Sequence, residues 1–260
     1  MLVMFIGKKK VLLRLAGVLF ACVVLAGIII SLTKVGYSPV AVVTGEKKLR
    51  PIYRVDTAEK KVAISFDATW GAEKTDELLL ILDRHQVKTT FFLVNLWLEK
   101  YPQAAKKIVA AGHELGLHSA THPHFSKLSL EKMREELLLN QKMIKDITGV
   151  DAYLFRPPFG DYNNDLIRVA EELGIKVIQW DVDSLDWKDV AAEQIYKRVT
   201  NQVKPGSIVL FHNNAKNTPK ALSPILKKLK TEGYQIVPIS ELLLEGDTYV
   251  DNNGVQRRKK

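Results

Sequence analysis

The chain has 260 residues, of which 47% are hydrophobic and 26% are charged, and this composition predicts a buried core and excludes a mainly disordered protein. Its single cysteine, Cys22, lies in an apolar N-terminal run. Disulfides, zinc-thiolate sites and a cysteine nucleophile are therefore excluded from the folded part. The formal net charge of +9 makes nucleic-acid binding the first partner class to examine.

The positive charge is concentrated at the two ends of the chain. Twelve of the 38 basic residues and one of the 29 acidic residues lie outside residues 51–256, which leaves 26 basic and 28 acidic residues there and a net charge of −2. A domain with almost no net charge does not favour nucleic-acid binding. The basic ends suit anionic lipid or an anionic wall polymer, and solvated termini are an equally good interpretation.

The N-terminus has the pattern of a membrane anchor. Lys8–Lys10 and Arg14 precede an uncharged run, Leu15–Leu32, which is about long enough to cross a bilayer. The positive flank predicts a cytoplasmic N-terminus and an exported remainder. A cleaved signal peptide is the alternative, although its apolar region is usually only ~7–15 residues. Leu19–Cys22 resembles a lipoprotein box, but the apolar run continues beyond it. We expect residues 1–33 to form a short basic cytoplasmic segment followed by a transmembrane helix.

Residues 34–57 separate this helix from the rest of the chain. They hold Gly36, Pro39, Gly45 and Pro51 without strong periodicity, which indicates a linker or an arm lying on the domain.

Residues 58–245 alternate between short apolar runs and amphipathic helical patterns, and residues 246–260 are expected to form a basic tail. Seven strands are expected, at Lys61–Phe66, Thr89–Val94, His113–Leu117, Ala152–Phe155, Ile175–Trp180, Ser207–Phe211 and Tyr234–Val237. Helices are expected at Glu73–His85, Tyr101–Ala111, Ser129–Thr148, Asn164–Leu173, Ala191–Val203 and Pro219–Glu232. This alternation predicts an α/β fold with parallel strands and crossover helices. Seven units fit a deformed (β/α) barrel better than an open sheet.

Two segments carry candidates for a hydrolytic site. Asp67 follows the first strand, where a carboxylate can take a proton from a nucleophilic water, although a helix N-cap or loop aspartate is the ordinary alternative. His118 and His122 have i, i+4 spacing and can point at one metal ion if the segment makes a helical turn. A hydrogen-bonded structural histidine is commoner. His124 is a third ligand or, as we expect, a bystander.

Three further segments complete the set. The prolines after Arg156 make a rigid loop that can hold its guanidinium against a carboxylate such as Asp67. His212 can protonate a leaving amine if a carboxylate from the segment Asp183–Trp187 raises its pKa. Within the same segments, Trp187, Leu210 and Phe159 are candidates for substrate binding, the first two as walls of an apolar pocket for a small acyl group. Core packing or a surface position is the alternative for each residue alone.

In this order, the segments resemble the five motifs of the polysaccharide deacetylase (NodB-homology, carbohydrate esterase family four) domain, over about residues 58–245. The motifs are Ser65–Ala68, His118–His122, Arg156–Gly160, Asp183–Trp187 and Leu210–His212. The resemblance implies that Asp67 is the base and His212 the acid. It also implies that His118 and His122 bind a divalent metal, most simply zinc. Arg156 would orient the base, and Asp186 would tune the acid.

One position departs from the family pattern. The first motif normally has two consecutive aspartates, the second a metal ligand, and here the second is Ala68. Catalytic zinc sites normally use three protein ligands, so metal is expected to be weakly bound or absent. The variant Ser65–Gly71, with the N-terminal membrane segment, resembles the sporulation-associated PdaB-type branch.

The N-terminal pattern and the resemblance together imply a membrane-anchored protein whose domain lies outside the cell. It would hydrolyse N-acetyl groups of cell-wall glycan, either peptidoglycan or a chitin-like polymer of N-acetylglucosamine. The alternative is a non-catalytic glycan-binding or structural spore protein that lost turnover through Ala68.

Overall fold

The computed structural model describes residues 17–28 and 47–259. Residues 17–28 form helix α1, and the two ends of the predicted span Leu15–Leu32 lie outside the described residues. Among the residues that are described, no helix has both the length and the hydropathy needed to cross a bilayer.

The folded unit contains a parallel sheet and a smaller one. In chain order the strands are β1 (Arg54–Val55), β2 (Lys61–Ala68), β3 (Thr90–Leu93), β4 (Glu114–Leu117), β5 (Leu154–Phe155), β6 (Lys176–Val177), β7 (Val182–Asp183), β8 (Ile208–His212), β9 (Gln235–Val237), β10 (Thr248–Val250) and β11 (Val255–Arg258). The large sheet has the order β6-β5-β4-β3-β2-β8-β7, with β9 added beside β2. Every printed pairing within it is parallel.

This sheet is a half-barrel, which confirms the predicted α/β class and the parallel strands. All seven predicted strands belong to it, and β7 is an eighth that the sequence did not predict. The predicted deformed barrel is open, because β6 and β7 are the two terminal strands of the sheet. The predicted strand Ile175–Trp180 is reduced to Lys176–Val177.

Helices cover the outer face of the half-barrel. They are α2 (Thr75–Arg84), α3 (Asn95–Lys100), α4 (Pro102–Ala110), α5 (Leu130–Thr148), α6 (Asn164–Glu172), α7 (Ala192–Gln202), α8 (Thr218–Thr231) and the short α9 (Ile239–Leu242). Because side chains alternate along a strand, Val62, Ile64 and Phe66 of β2 pack with the helices, whereas Ala63 packs in a second cluster with Phe92. The opposite alternation carries Asp67 to the inner side at the strand end.

An arm before β2 extends the folded unit beyond its predicted start at residue 58. The backbone N–H of Ile52 donates to Val177 O (2.9 Å), and Gln179 N donates to Ile52 O (2.7 Å). Three residues later, Val55 N donates to Gly206 O (3.0 Å). The compact unit accordingly begins at Lys48, and the described part of the predicted linker 34–57 is an arm on the domain.

The described part of the predicted basic tail, residues 246–259, is folded onto the domain. β10 and β11 form a hairpin, and β11 also pairs in parallel with β1. Arg257 donates to Asp251 and Asp56, so its charge is matched by two carboxylates. Gln256 is buried, and its side-chain amide pairs with both backbone groups of Leu244. The described part of the segment is held by this buried amide and by ion pairs of Arg257 and Lys259.

Candidate active site

The predicted residues converge because the strands that carry them end at one edge of the sheet. Asp67 and His212 are paired residues of β2 and β8, and Asp183 of β7 pairs with Leu210. Parallel strands place their carboxyl ends on the same side, which is where α/β folds assemble their sites.

Asp67 and Arg156 form a buried ion pair. Arg156 is fully buried, Asp67 is 5% exposed, and Nη1 donates to Oδ1 over 2.8 Å. The guanidinium also donates to Gln179 O and lies over the ring of Phe92, 4.2 Å from its centroid. Burial alone would raise the pKa of the Asp67 carboxyl, but the charge of Arg156, with smaller contributions from nearby histidines, holds this pKa below its ordinary value. Asp67 is therefore ionised at neutral pH.

Asp186 and His212 form the second pair. One carboxylate oxygen of Asp186 accepts from His212 Nδ1 (2.7 Å), and the other accepts from His212 N (2.8 Å) and Thr218 Oγ1 (2.6 Å). Burial alone would lower the pKa of His212, but the hydrogen bond and charge of Asp186 outweigh it and raise this pKa above its ordinary value. Nε2 is left as the ring nitrogen available on the cavity side.

His118 and His122 also meet, although not through the helical turn that their spacing suggested. Ser119 and His122 have φ values of 76° and 59°, so a loop with left-handed residues brings the ring centroids to 5.0 Å. His118 Nδ1 donates to Arg156 O (2.7 Å), which leaves Nε2 facing Asp67 Oδ2 at 3.7 Å. Burial lowers the pKa of both rings, to about 4 for His122. Both imidazoles are neutral at neutral pH and keep a lone pair for a ligand.

A cavity of about 610 Å³ joins these groups. Asp67, His118, His122 and His212 line it, and so do all three predicted substrate-binding residues, Phe159, Trp187 and Leu210. Leu210 is buried, whereas Trp187 and Phe159 are mostly exposed at the cavity. The size and the mixture of apolar walls with a few charged groups are typical of a small-molecule or polymer subsite.

Comparison with known proteins identifies the family of the chain. The family model for polysaccharide deacetylase matches residues 54–178. A peptidoglycan-N-acetylglucosamine deacetylase of Bacillus cereus is 33% identical over 206 residues, which cover 76% of this chain and 96% of that protein. The chain belongs to the polysaccharide deacetylase family.

The chain is also similar to a longer deacetylase, of which it covers less than half, and to a family member described as a pseudoenzyme. PgdA of Listeria monocytogenes, a peptidoglycan-N-acetylglucosamine deacetylase, is 38% identical over 74% of this chain, which spans only 41% of PgdA. The crystal structure of a CE4 family pseudoenzyme from Bacillus anthracis superposes with a TM-score of 0.72 at 36% identity, covering 74% of this chain and 68% of that one. A mutant of that pseudoenzyme, described as having restored enzymatic activity, has the same TM-score at 38% identity, covering 74% of this chain and 70% of that one.

Deacetylases of this family are generally metal-dependent, and the donors present here do not fit a resident catalytic zinc. Ala68 is fully buried in the same apolar cluster as Phe66 and supplies only a methyl group. Within residues 17–28 and 47–259 no group of three His, Cys, Asp or Glu side chains is placed to hold a metal ion. His118 and His122 are two donors where catalytic zinc normally has three from the protein. His124 does not supply the third, because it stacks on Phe159 and faces Asp161.

Two polar residues that the sequence analysis missed hold the histidine loop from α5. Glu136, 1% exposed, accepts from Ala120 N and from both Thr121 N and Oγ1, at 2.7–2.9 Å. Asn140, fully buried, accepts from His118 N (2.8 Å). Their spacing could have revealed them, because both fall among the apolar residues on the buried face of α5. An unpaired polar side chain is costly there, so a polar residue at such a position indicates a buried hydrogen-bond partner.

Proposed function

We propose that this protein hydrolyses N-acetyl groups of cell-wall glycan, either peptidoglycan or a chitin-like polymer of N-acetylglucosamine. The observation that carries the proposal is the convergence of two ion pairs on one cavity: the buried pair Asp67–Arg156, and the pair of buried Asp186 with half-buried His212. Burying paired charges is costly, and a cavity is where such pairs prepare groups for proton transfer. The names of the relatives support the choice of glycan.

The residues present account for the proton transfers of amide hydrolysis. Ionised Asp67 takes a proton from a water molecule, whose oxygen attacks the acetyl carbonyl carbon. Protonated His212 then gives its Nε2 proton to the amine nitrogen as the C–N bond breaks. The products are acetate and a free amino sugar. Leu210 and Trp187 provide an apolar wall for the acetyl methyl group.

Acetate release from peptidoglycan and from chitin oligomers tests this function. We expect Asp67→Asn and His212→Ala each to lower the rate about 10²- to 10⁴-fold, because each removes one proton-transfer group. Asp146→Asn, an exposed aspartate on α5, is the matched control and should keep the wild-type rate. Equal rates for Asp67→Asn and wild type would remove the proposed base.

A non-catalytic glycan-binding or structural spore protein is the second candidate. It is favoured by the methyl group of Ala68, which leaves the metal donors incomplete, and by the likeness to a structure described as a pseudoenzyme. Glycan binding without acetate release, in the presence of added zinc, would support this candidate over hydrolysis.

We further propose that the protein is anchored in the cell membrane with its N-terminus in the cytoplasm and its folded unit outside, and that it serves in sporulation. The support is the apolar run Leu15–Leu32 after Lys8–Lys10, and the motif variant Ser65–Gly71. Full-length protein should sediment with membranes and be accessible to protease from outside, whereas a protein starting at Tyr37 should be soluble and folded. Recovery of full-length protein in the cytosolic fraction would reject the anchor, and constant abundance through sporulation would reject the developmental role.

A further inference from the structure

Aromatic rings form a continuous chain of contacts along the cavity. Trp70 lies 6.5 Å from His122, His122 lies 4.6 Å from Phe159, and Phe159 stacks on His124 at 4.3 Å, measured between ring centroids. We call these four residues the aromatic strip. Trp70 is 69% exposed and Phe159 is 62% exposed, so two large apolar rings of the strip face solvent beside the catalytic groups.

Trp70 is exposed but its backbone is fixed. The next residue, Gly71, has φ of +64°, and its carbonyl accepts from Trp97 Nε1 (2.6 Å) and from Asn213 Nδ2 (2.9 Å). A Cβ at Gly71 would lie 2.1 Å from the side chain of Asn214, so only glycine fits this turn. The fold thus presents the indole from a rigid turn, which reduces the entropy lost when a ligand binds.

Phe159 is presented in a similar way. Its φ of 59° lies in the left-handed region, which a non-glycine residue rarely adopts. The turn is held by Gly160 N donating to Pro157 O (3.1 Å) and by Gln179 Nε2 donating to Gly160 O (3.0 Å). The exposed phenyl ring adds little stability by burial, and together with Trp70 it gives the cavity an exposed apolar surface that a ligand can contact.

We propose that the aromatic strip seats successive sugar rings of the glycan, with Trp70 and Phe159 each stacking on the apolar face of one ring. This inference rests on the proposed function and extends it from one reacting sugar to a stretch of polymer. A pyranose ring has apolar C–H faces and polar edges. The cavity offers both kinds of surface, because Thr69, Asn213 and Asn214 line it together with the exposed rings of Trp70 and Phe159. This mixture favours glycan over a lipid surface, which would require a uniformly apolar face.

The test is equilibrium binding of the chitin dimer and tetramer to the full chain in detergent. We expect the tetramer to bind more tightly than the dimer. Trp70→Ala should weaken tetramer binding about tenfold, and Trp70→Phe should restore most of it, because one lost aromatic stack corresponds to about that factor. Tyr249→Ala, an exposed aromatic of the β10–β11 hairpin, is the matched control and should bind as wild type.

The outcomes separate the strip from the hydrolysis. Binding that depends on Trp70, without acetate release from any glycan, supports the strip and rejects the proposed reaction. Acetate release with the same tetramer affinity for wild type and a folded Trp70→Ala overturns the strip and leaves the reaction. Unchanged glycan binding, together with loss of sedimentation on phosphatidylglycerol vesicles in Trp70→Ala, would assign the rings to a membrane surface and also overturn the proposal.

Discussion

The two sides of the cavity differ in completeness. On one side, Asp67 and His212 each have a buried charged partner, Arg156 and Asp186. On the other side, the histidine loop keeps its supports from α5, but the position next to Asp67 is the methyl group of Ala68. The two sides therefore differ in their donors: the charged pairs are complete, whereas the histidine loop has no carboxylate at position 68 beside it.

On the complete side, the buried ion pair between Asp67 and Arg156 should make the largest contribution to stability of the groups compared here. Arg156→Met leaves the Asp67 carboxylate buried without its partner, so we expect the free energy of unfolding to fall by about 3–5 kcal/mol at neutral pH. In wild type, the depressed pKa of Asp67 stabilises the fold above the ordinary carboxyl pKa, and this stabilisation is lost as pH falls through the folded pKa. The deficit of the variant should therefore shrink in acid. Urea denaturation at neutral and acidic pH measures both effects.

Arg134→Met is the control for this variant. Arg134 pairs with Glu172 on the surface, and its replacement should change stability by no more than about 0.5 kcal/mol. Equal effects of the two arginine substitutions would show that the buried pair has no special role.

The incomplete side is tested by Ala68→Asp. Without metal, the new side chain enters an apolar cluster and should destabilise the fold by about 1–3 kcal/mol. If it supplies the missing ligand beside His118 and His122, zinc at about 100 times its Kd should return about 2.7 kcal/mol, and any deacetylase rate should rise. Thermal melting with and without zinc measures this change.

Ala68→Asn is the matched control, since it has the same shape but lacks the negative charge. Ala68→Asn should lose about as much folding stability as Ala68→Asp, and zinc should restore little of that loss. If Ala68→Asp gains no zinc affinity, the site has diverged in shape as well as in ligands, and the non-catalytic function is preferred.

The scaffold behind the incomplete side is tested by Glu136→Gln. The amide has one acceptor oxygen fewer than the carboxylate, so at least one donor of the loop at Ala120 and Thr121 loses its partner. We expect a loss of about 1–3 kcal/mol and faster hydrogen exchange at these amides. Glu135→Gln, on the exposed side of the same helix, should have almost no effect. Unchanged exchange in Glu136→Gln would mean that other contacts hold the loop.

The smallest expected effect is a change in titration on the complete side. NMR of His212 should give a midpoint above the ordinary value of about 6.5, and Asp186→Asn should lower it. Because the folded pKa is raised, the Asp186 interaction stabilises the fold below the ordinary pKa and is lost as pH rises through the folded pKa. His85, whose pKa burial lowers, should titrate equally in both proteins. Equal His212 midpoints would remove Asp186 as the tuning group.

Much of the site was predictable because its chemistry follows directly from short motifs at strand ends. Asp67, Arg156 and His212 each stand at or after an apolar run, and parallel strands bring such positions together. The geometry of the histidine pair was not predictable, because the helical turn inferred from its spacing ignored left-handed φ values at Ser119 and His122. Sequence periodicity contains no signal for such values.

The missed parts of the fold depend on contacts between distant residues. Strand β7 has two residues, too few to show alternation, and it exists because it pairs with β8. The arm was read as a possible linker because its partners, Val177 and Gly206, are more than a hundred residues away. The C-terminal hairpin was read as a tail because its charge dominated the composition, whereas buried Gln256 determines its position.

The arm also protects the sheet from other copies of the chain. Ile52 occupies hydrogen-bonding groups of Val177 and Gln179 beside strand β6, a terminal strand of the half-barrel. A fragment starting at residue 58 would leave those groups unpaired, and unpaired sheet edges recruit strands from neighbouring molecules. Such a fragment should aggregate even though it retains every residue of the candidate site. We therefore expect the arm to keep the chain monodisperse as well as to complete the fold.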